Sequence, residues 1–199
     1  MPLLRTTTVQ DVRDLWSSLC GLDSTTVNSD DAVAFIEFLN LAYPKVWIKE
    51  PWSFATDVAS FSTDSDGIID LSANSTVRDI LDVYKEDILK NPDSTVYSYA
   101  INQNDVYVAV APSTTVYVHY RIQETEFTST LTTTLPHELK SYLAYQCSAD
   151  WLASEGQEKK SLARQAKAEE ILADLVDNFE RQQQQIAQTR VGVRTLGVR

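Results

Sequence analysis

The chain has 199 residues, of which 43% are hydrophobic and nineteen aromatic, and a formal net charge of -11. That apolar content excludes a disordered polyelectrolyte and suffices for one packed domain, or for two small subdomains sharing a core. No apolar run approaches the ~20 residues of a membrane span and no leader pattern opens the chain, so the expectation is a soluble protein made in a cytoplasm.

The charge is uneven. All 28 acids and 13 of the 17 bases precede residue 181, a balance of -15, whereas residues 181–199 hold Arg181, Arg190, Arg194 and Arg199 and no acid. Phosphate affinity comes from cations that displace condensed counterions, so a body this acidic is a poor direct binder of nucleic acid. Cys20 and Cys147 lie far apart on different predicted helices, which predicts buried free thiols rather than a disulfide framework.

In chain order, TVQDVRDLWSSLCG reads as a first helix. Thr8 caps it with Asp11 three residues on, Val9, Val12, Trp16 and Leu19 repeat at helical spacing, and Gly21 ends it. In SDDAVAFIEFLNLAYP, Ser29 is the expected N-cap, Val33, Ile36, Leu39 and Tyr43 form the apolar stripe, and Pro44 is the expected stop. From Lys45 to Leu71 the pattern alternates and is broken by Pro51 and the turn-prone stretch 64–67, which predicts short strands or extended segments. TVRDILDVYKEDI places Val77, Ile80, Leu81 and Tyr84 at helical intervals and reads as a short helix.

TVYSYAIN, DVYVAVAP and TTVYVHYRI are Val- and Tyr-rich runs joined by short turns, the pattern of an antiparallel meander. Helical period returns at LPHELKSYLAYQCSADWLASEG, with Pro136 at its start. After Gly156 a long charged helix follows, with Leu162, Ala166, Leu172, Leu175, Val176 and Phe179 as its apolar residues, so an αα-hairpin is expected. The ending TRVGVRTLGVR has Val191, Val193, Leu196 and Val198 to bury and Arg190, Arg194 and Arg199 to pair with carboxylates, the composition of an arm ordered by a partner.

The expected class is therefore α+β: a helical bundle with a long C-terminal αα-hairpin, a small antiparallel β-meander or β-sandwich subdomain, and an extended C-terminal arm. The expected boundaries are 1–44 for the N-terminal helices, 45–134 for the β-rich part, 135–185 for the hairpin packing with the N-terminal helices, and 186–199 for the arm.

Catalytic constellations are scarce. His119 and His137 have no Cys or Asp at metal-ligand spacing. With five glycines there is no phosphate-binding loop, and no GxSxG elbow occurs. Asp64, Asp66 and Asp70 share part of a calcium-loop pattern, but Gly67 follows Asp66 directly and no Glu sits at the right distance, so an acidic turn is expected. Tyr97, Tyr99, Tyr107, Tyr117 and Tyr120 have almost no basic neighbours, which favours packing and interface roles over base stacking. No catalytic residue, metal or cofactor is expected.

The order of elements resembles the head-to-tail adaptor (connector) proteins of tailed bacteriophages, including the tail tubular adaptor of short-tailed phages. The resemblance rests on AYPKVWIKEPWSFA, NDVYVAVAPSTTVYVHYRI and LPHELKSYLAYQCSADWLASEGQEKKSLARQAKAEEIL, and spans about residues 28–180. The Ser/Thr-rich loop Thr125–Thr134 departs from the pattern in being longer and less charged. The resemblance implies a structural virion protein at the portal vertex: a homo-oligomeric ring, a dodecamer, that docks under the portal protein, extends the DNA channel and offers a docking surface to a nozzle or tail-tube protein. It further implies that the terminal arm (Arg190, Val191, Val193, Arg194, Leu196, Val198, Arg199) grips the portal, and that genomic DNA passes without specific binding. A neck, head-completion or stopper protein elsewhere on the tail axis is the first alternative, and a small acidic regulatory binding module the second.

Overall fold

The computed structural model describes residues 5–23, 27–72 and 74–196, with the side chains of the last helix described through Gln184. The elements are β1 (Thr6–Thr8), α1 (Val9–Cys20), α2 (Ser29–Trp47), β2 (Thr56–Ser62), β3 (Ile68–Asp70), β4 (Val77–Tyr84), β5 (Tyr99–Asn102), β6 (Asp105–Val108), β7 (Thr115–Ile122), β8 (Thr134–Pro136), a single 3-10 turn at His137–Leu139, α3 (Lys140–Ser154) and α4 (Glu158–Leu196). The class is α+β. The chain forms two compact units, residues 1–50 with 126–199, and residues 51–125.

In the helical unit, α1 starts on a reciprocal capping box. The Thr8 hydroxyl accepts from the Asp11 N–H at 3.2 Å and Asp11 Oδ2 accepts from the Thr8 N–H at 2.8 Å. The hydroxyls of Thr7 and Thr8 donate to the same carboxylate oxygen. These hydrogen bonds, those of Thr8 foremost, favour the charged form and hold the Asp11 pKa down at about 2. At the other end Gly21 adopts φ 75°, and the Leu22 N–H closes onto the Ser17 carbonyl.

The N-cap of α2 is Asn28 rather than Ser29, its Oδ1 accepting from the Asp31 N–H at 2.8 Å. Pro44 does not stop the helix, which continues to Trp47. A proline removes one donor, yet its own carbonyl still accepts from Ile48, and burying Val46 and Trp47 holds the last turn in place. The stripe is also rotated: Phe35, Leu39, Ala42, Tyr43, Val46 and Trp47 are buried, while Val33 is 58% exposed.

Trp16 anchors the core of this unit, fully buried against Phe35 at 5.0 Å between ring centroids and edge-on to Trp151 at 6.1 Å. The central helix is α3, packed on α1, α2 and α4. A short β1–β8 ladder, with Thr7 opposite Leu135, ties the N-terminus to the segment that leads into α3. Pro136 closes β8 and caps the 3-10 turn, so the α-helix itself begins four residues later.

The chain leaves this unit after α2 and re-enters it near Phe127, where Asn40 fixes the return. Its Nδ2 donates to the Phe127 carbonyl at 2.9 Å and its Oδ1 accepts from the Phe127 N–H at 2.8 Å. Phe127 is buried and packs edge-on against Tyr43 at 4.9 Å. One amide side chain thus satisfies both backbone groups of a buried residue 87 positions away.

The second unit is built from two antiparallel sheets of order β2-β7-β4 and β3-β6-β5. Ile69, Val83, Val106, Val108, Val116, Val118 and Tyr120, drawn from both sheets, form one buried cluster. Two strand-level expectations change. β5 and β6 form a hairpin, but β7 leaves β6 and pairs with β2 and β4. Residues 77–84, expected to be helical, are the strand β4. Its register on β7 shifts twice, between Val77 and Asp79 and between Ile80 and Asp82. Each irregularity resets the two-residue alternation, which gives a strand the three- and four-residue apolar spacing of a helix.

Replacing Asn40 with Ala should lower unfolding stability by about 2 kcal/mol, because it leaves two buried backbone groups unpaired. Urea titration checks this, and an unchanged midpoint would show that the amide clamp carries no weight. Thr8→Ala should cost about 1 kcal/mol. Since the Asp11 pKa is depressed on folding, its contribution is complete above about pH 4 and is lost as pH falls toward 2. An acid titration of Asp11→Asn should lack that step.

Candidate interaction surfaces

The αα-hairpin turns at Gly156, which adopts φ 70°, with the Gln157 N–H bonded to the Leu152 carbonyl. α4 then lies along α3 through small residues. Ser161 is buried and its hydroxyl donates to the Ala149 carbonyl at 2.8 Å, and Ala168 is fully buried. Leu162, expected on the apolar face, is 65% exposed, and Ala166 is exposed too. Small side chains permit close approach of the two helices, so the seam follows size rather than hydrophobicity.

Arg164 joins this seam to α1. Its Nη2 donates to the Leu19 carbonyl at 3.1 Å, satisfying a group that the end of α1 leaves without an intrahelical partner, and its guanidinium lies 5.6 Å from the centre of the Tyr145 ring.

Beyond Ala168, the residues Ile171, Leu172, Leu175, Val176 and Phe179 are half-buried. Residues 180–184 are all exposed, and the helix still continues to Leu196. The stretch 180–196 is therefore about 25 Å of helix at ~1.5 Å per residue. Backbone expected to be extended over 186–196 instead prolongs α4, since good helix formers through Ala187 and Gln188 carry the hydrogen-bond ladder onward. Of the predicted arm, Arg190, Val191, Val193, Arg194 and Leu196 fall on this helical backbone. Val198 and Arg199 lie outside the described residues.

The predicted tyrosine surface is divided. Tyr120 is 5% exposed and belongs to the core of the β unit, because the alternation of β7 puts it on the same face as Val116 and Val118. Tyr97 and Tyr99 pack partly against that core, and the Tyr99 hydroxyl donates to the Leu81 carbonyl at 3.1 Å. Tyr117 is half-buried, and Tyr107 alone of the five is exposed, at 40%. Sequence alternation gives the two faces of a strand but not which one is inside.

On the outer face of β7, His119 sits in register between Val58 and Asp82. Burial pushes its pKa down, partly opposed by the Asp82 carboxylate. Asp82 in turn accepts from the Tyr84 hydroxyl at 3.2 Å, and burial together with that charge pushes the Tyr84 pKa up to about 12.

An open cleft of about 470 Å³ is lined by Leu71, Asn74, Arg78, Asp79, Ile101 and Gln103, among others. Its charges are already paired: Arg78 with Glu124, and Asp79 with Arg121 at 2.9 Å. Asp64 closes a turn by accepting from the N–H groups of Asp66 and Ile68, both at 2.8 Å. Gly67 completes it at φ 81°, where a Cβ would meet the Val108 carbonyl at 3.2 Å. Both cysteines are free, and burial pushes both thiols up, Cys20 to about 12.

Among the described residues, no group of three or more His, Cys, Asp or Glu side chains could hold a metal ion, and no helix is long and apolar enough to cross a membrane. No protein-family model and no curated protein matches the chain.

Proposed function

We propose that the chain is a structural virion protein: a head-to-tail adaptor of a tailed bacteriophage, forming a ring under the portal and offering the tail its attachment surface. The observation that carries this reading is α4. It is anchored on α3 by Ser161 and Ala168, then runs on with an exposed surface into a segment that is basic where the rest of the chain is acidic. A helix of this kind presents its end to another molecule rather than to its own core.

The charge supports the same reading. A ring around DNA must let a polyanion slide, and a balance of -15 over residues 1–180 gives phosphates no strong cationic contact whose breakage would slow passage. The partners under this reading are the portal protein, a nozzle or tail-tube protein, and further copies of the chain in a dodecamer. A closed cyclic ring needs heterologous side-to-side contacts, for which the exposed α4 and Tyr107 are available surfaces.

Mixing the purified chain with purified portal rings tests this. The two should co-sediment at a copy ratio matching the portal, whereas a chain that never joins portal rings contradicts the reading. Deleting residues 186–199 should cost only the helical signal of that stretch, leave the unfolding midpoint of the remainder unchanged, and abolish head–tail joining in assembly extracts. Infectious particles built from the truncated chain would remove the terminal segment from the docking role.

A further inference from the structure

Among the described residues, the helical unit exposes four large hydrophobic side chains, and three of them, Val33, Leu41 and Ile48, belong to α2 and its C-cap. Steps of eight and seven residues set the three on one face, with the half-buried Ala34 and Pro44 beside them. That face lies opposite Phe35, Leu39 and Val46, which α2 buries within its own unit. Scattered exposed leucines are ordinary, but apolar side chains aligned along one helix face form a surface that a partner can cover. From Val33 to Ile48 the stripe runs about 23 Å at ~1.5 Å per residue.

The charges around the stripe are ordered. Over residues 29–49 the acids Asp30, Asp31 and Glu37 all precede Leu41, and the bases Lys45 and Lys49 all follow it. Glu37 and Lys45 are both exposed and stand four residues to either side of Leu41. Among the described residues neither of them forms an ion pair. A helix that is acidic before its midpoint and basic after it repels a parallel copy of itself and attracts an antiparallel one.

We propose that the exposed face of α2 pairs antiparallel with α2 of a second copy of this chain, about a two-fold axis at Leu41. One register then serves both the stripe and the charges. Leu41 meets Leu41 of the second copy, and Val33 shares a layer with Ile48 of the second copy. Glu37, the one charge set among the apolar residues, lies opposite Lys45, and Asp31 lies near Lys49. The contact is isologous, so each pairing occurs twice. The inference stands apart from the adaptor reading, since it needs only a second copy. A two-fold pair does not close a ring of side-to-side contacts, so where both hold the pair is the form of the free chain.

Sedimentation velocity of the full chain over a concentration series should show a monomer–dimer equilibrium. Leu41 is 60% exposed, so Leu41→Asp should leave the unfolding midpoint unchanged while weakening dimerisation by about tenfold or more. Glu37→Lys should weaken it too, and adding Lys45→Glu to the same chain should restore it, because the exchanged pair has the same complementarity. In a Cys20→Ser background, Leu41→Cys should oxidise to a disulfide-linked dimer, whereas Leu162→Cys, equally exposed on α4, should not. A chain that stays monomeric at every concentration overturns the proposal. So does a dimer indifferent to Leu41→Asp, a charge exchange that restores nothing, or crosslinking at Leu162→Cys but not at Leu41→Cys.

Discussion

The helical unit depends on one interaction between segments distant in sequence, the clamp of Asn40 on Phe127. α1 and α2 are made before the chain departs at Glu50, and α3 and α4 only after it returns at Glu126. A core shared by both halves therefore exists only once the return is fixed. Asn40 fixes it by pairing both backbone groups of Phe127, and Tyr43 covers the ring that follows. The β1–β8 ladder and the bond from the Val9 N–H to the Thr133 carbonyl extend the same closure toward α3. Across that closure Trp16 lies between Phe35, from before the excursion, and Trp151, from after it.

Much of this was legible in the sequence where the signal is local. The Thr8–Asp11 capping box, the Gly21 cap, the turn at Gly156 and the β5–β6 hairpin follow from residue types that meet a backbone requirement on the spot. What escaped was decided at a distance. β4 carries helical spacing, yet the most β-favourable run in the chain, β7, has two edges to fill and draws it into a sheet at the cost of two register shifts. Pro44 reads as a stop, but Trp47 is worth burying beyond it.

The candidate surfaces divide in the same way. That β7 alternates was plain, but which face would be inside was not, and Tyr120 fell to the core while Tyr107 remained exposed. The helical hairpin was expected, yet its seam runs through Ser161 and Ala168 instead of Leu162. Small residues leave little trace in a hydrophobic pattern, since their contribution is the room they leave for a neighbouring helix. Along α4 the apolar residues and the basic end were each visible in the sequence, but not that a single unbroken helix would carry both past the end of α3.

Under the proposed adaptor role, α4 presents its distal end at the junction between a phage head and its tail. Electron cryomicroscopy of the portal vertex in particles that contain this chain tests it most directly. An adaptor should appear as twelve copies of the two-unit fold in a ring beneath the portal, with α4 ending against a portal subunit. Density for the chain elsewhere in the particle, or a portal joined to the tail with no such ring between them, would contradict it.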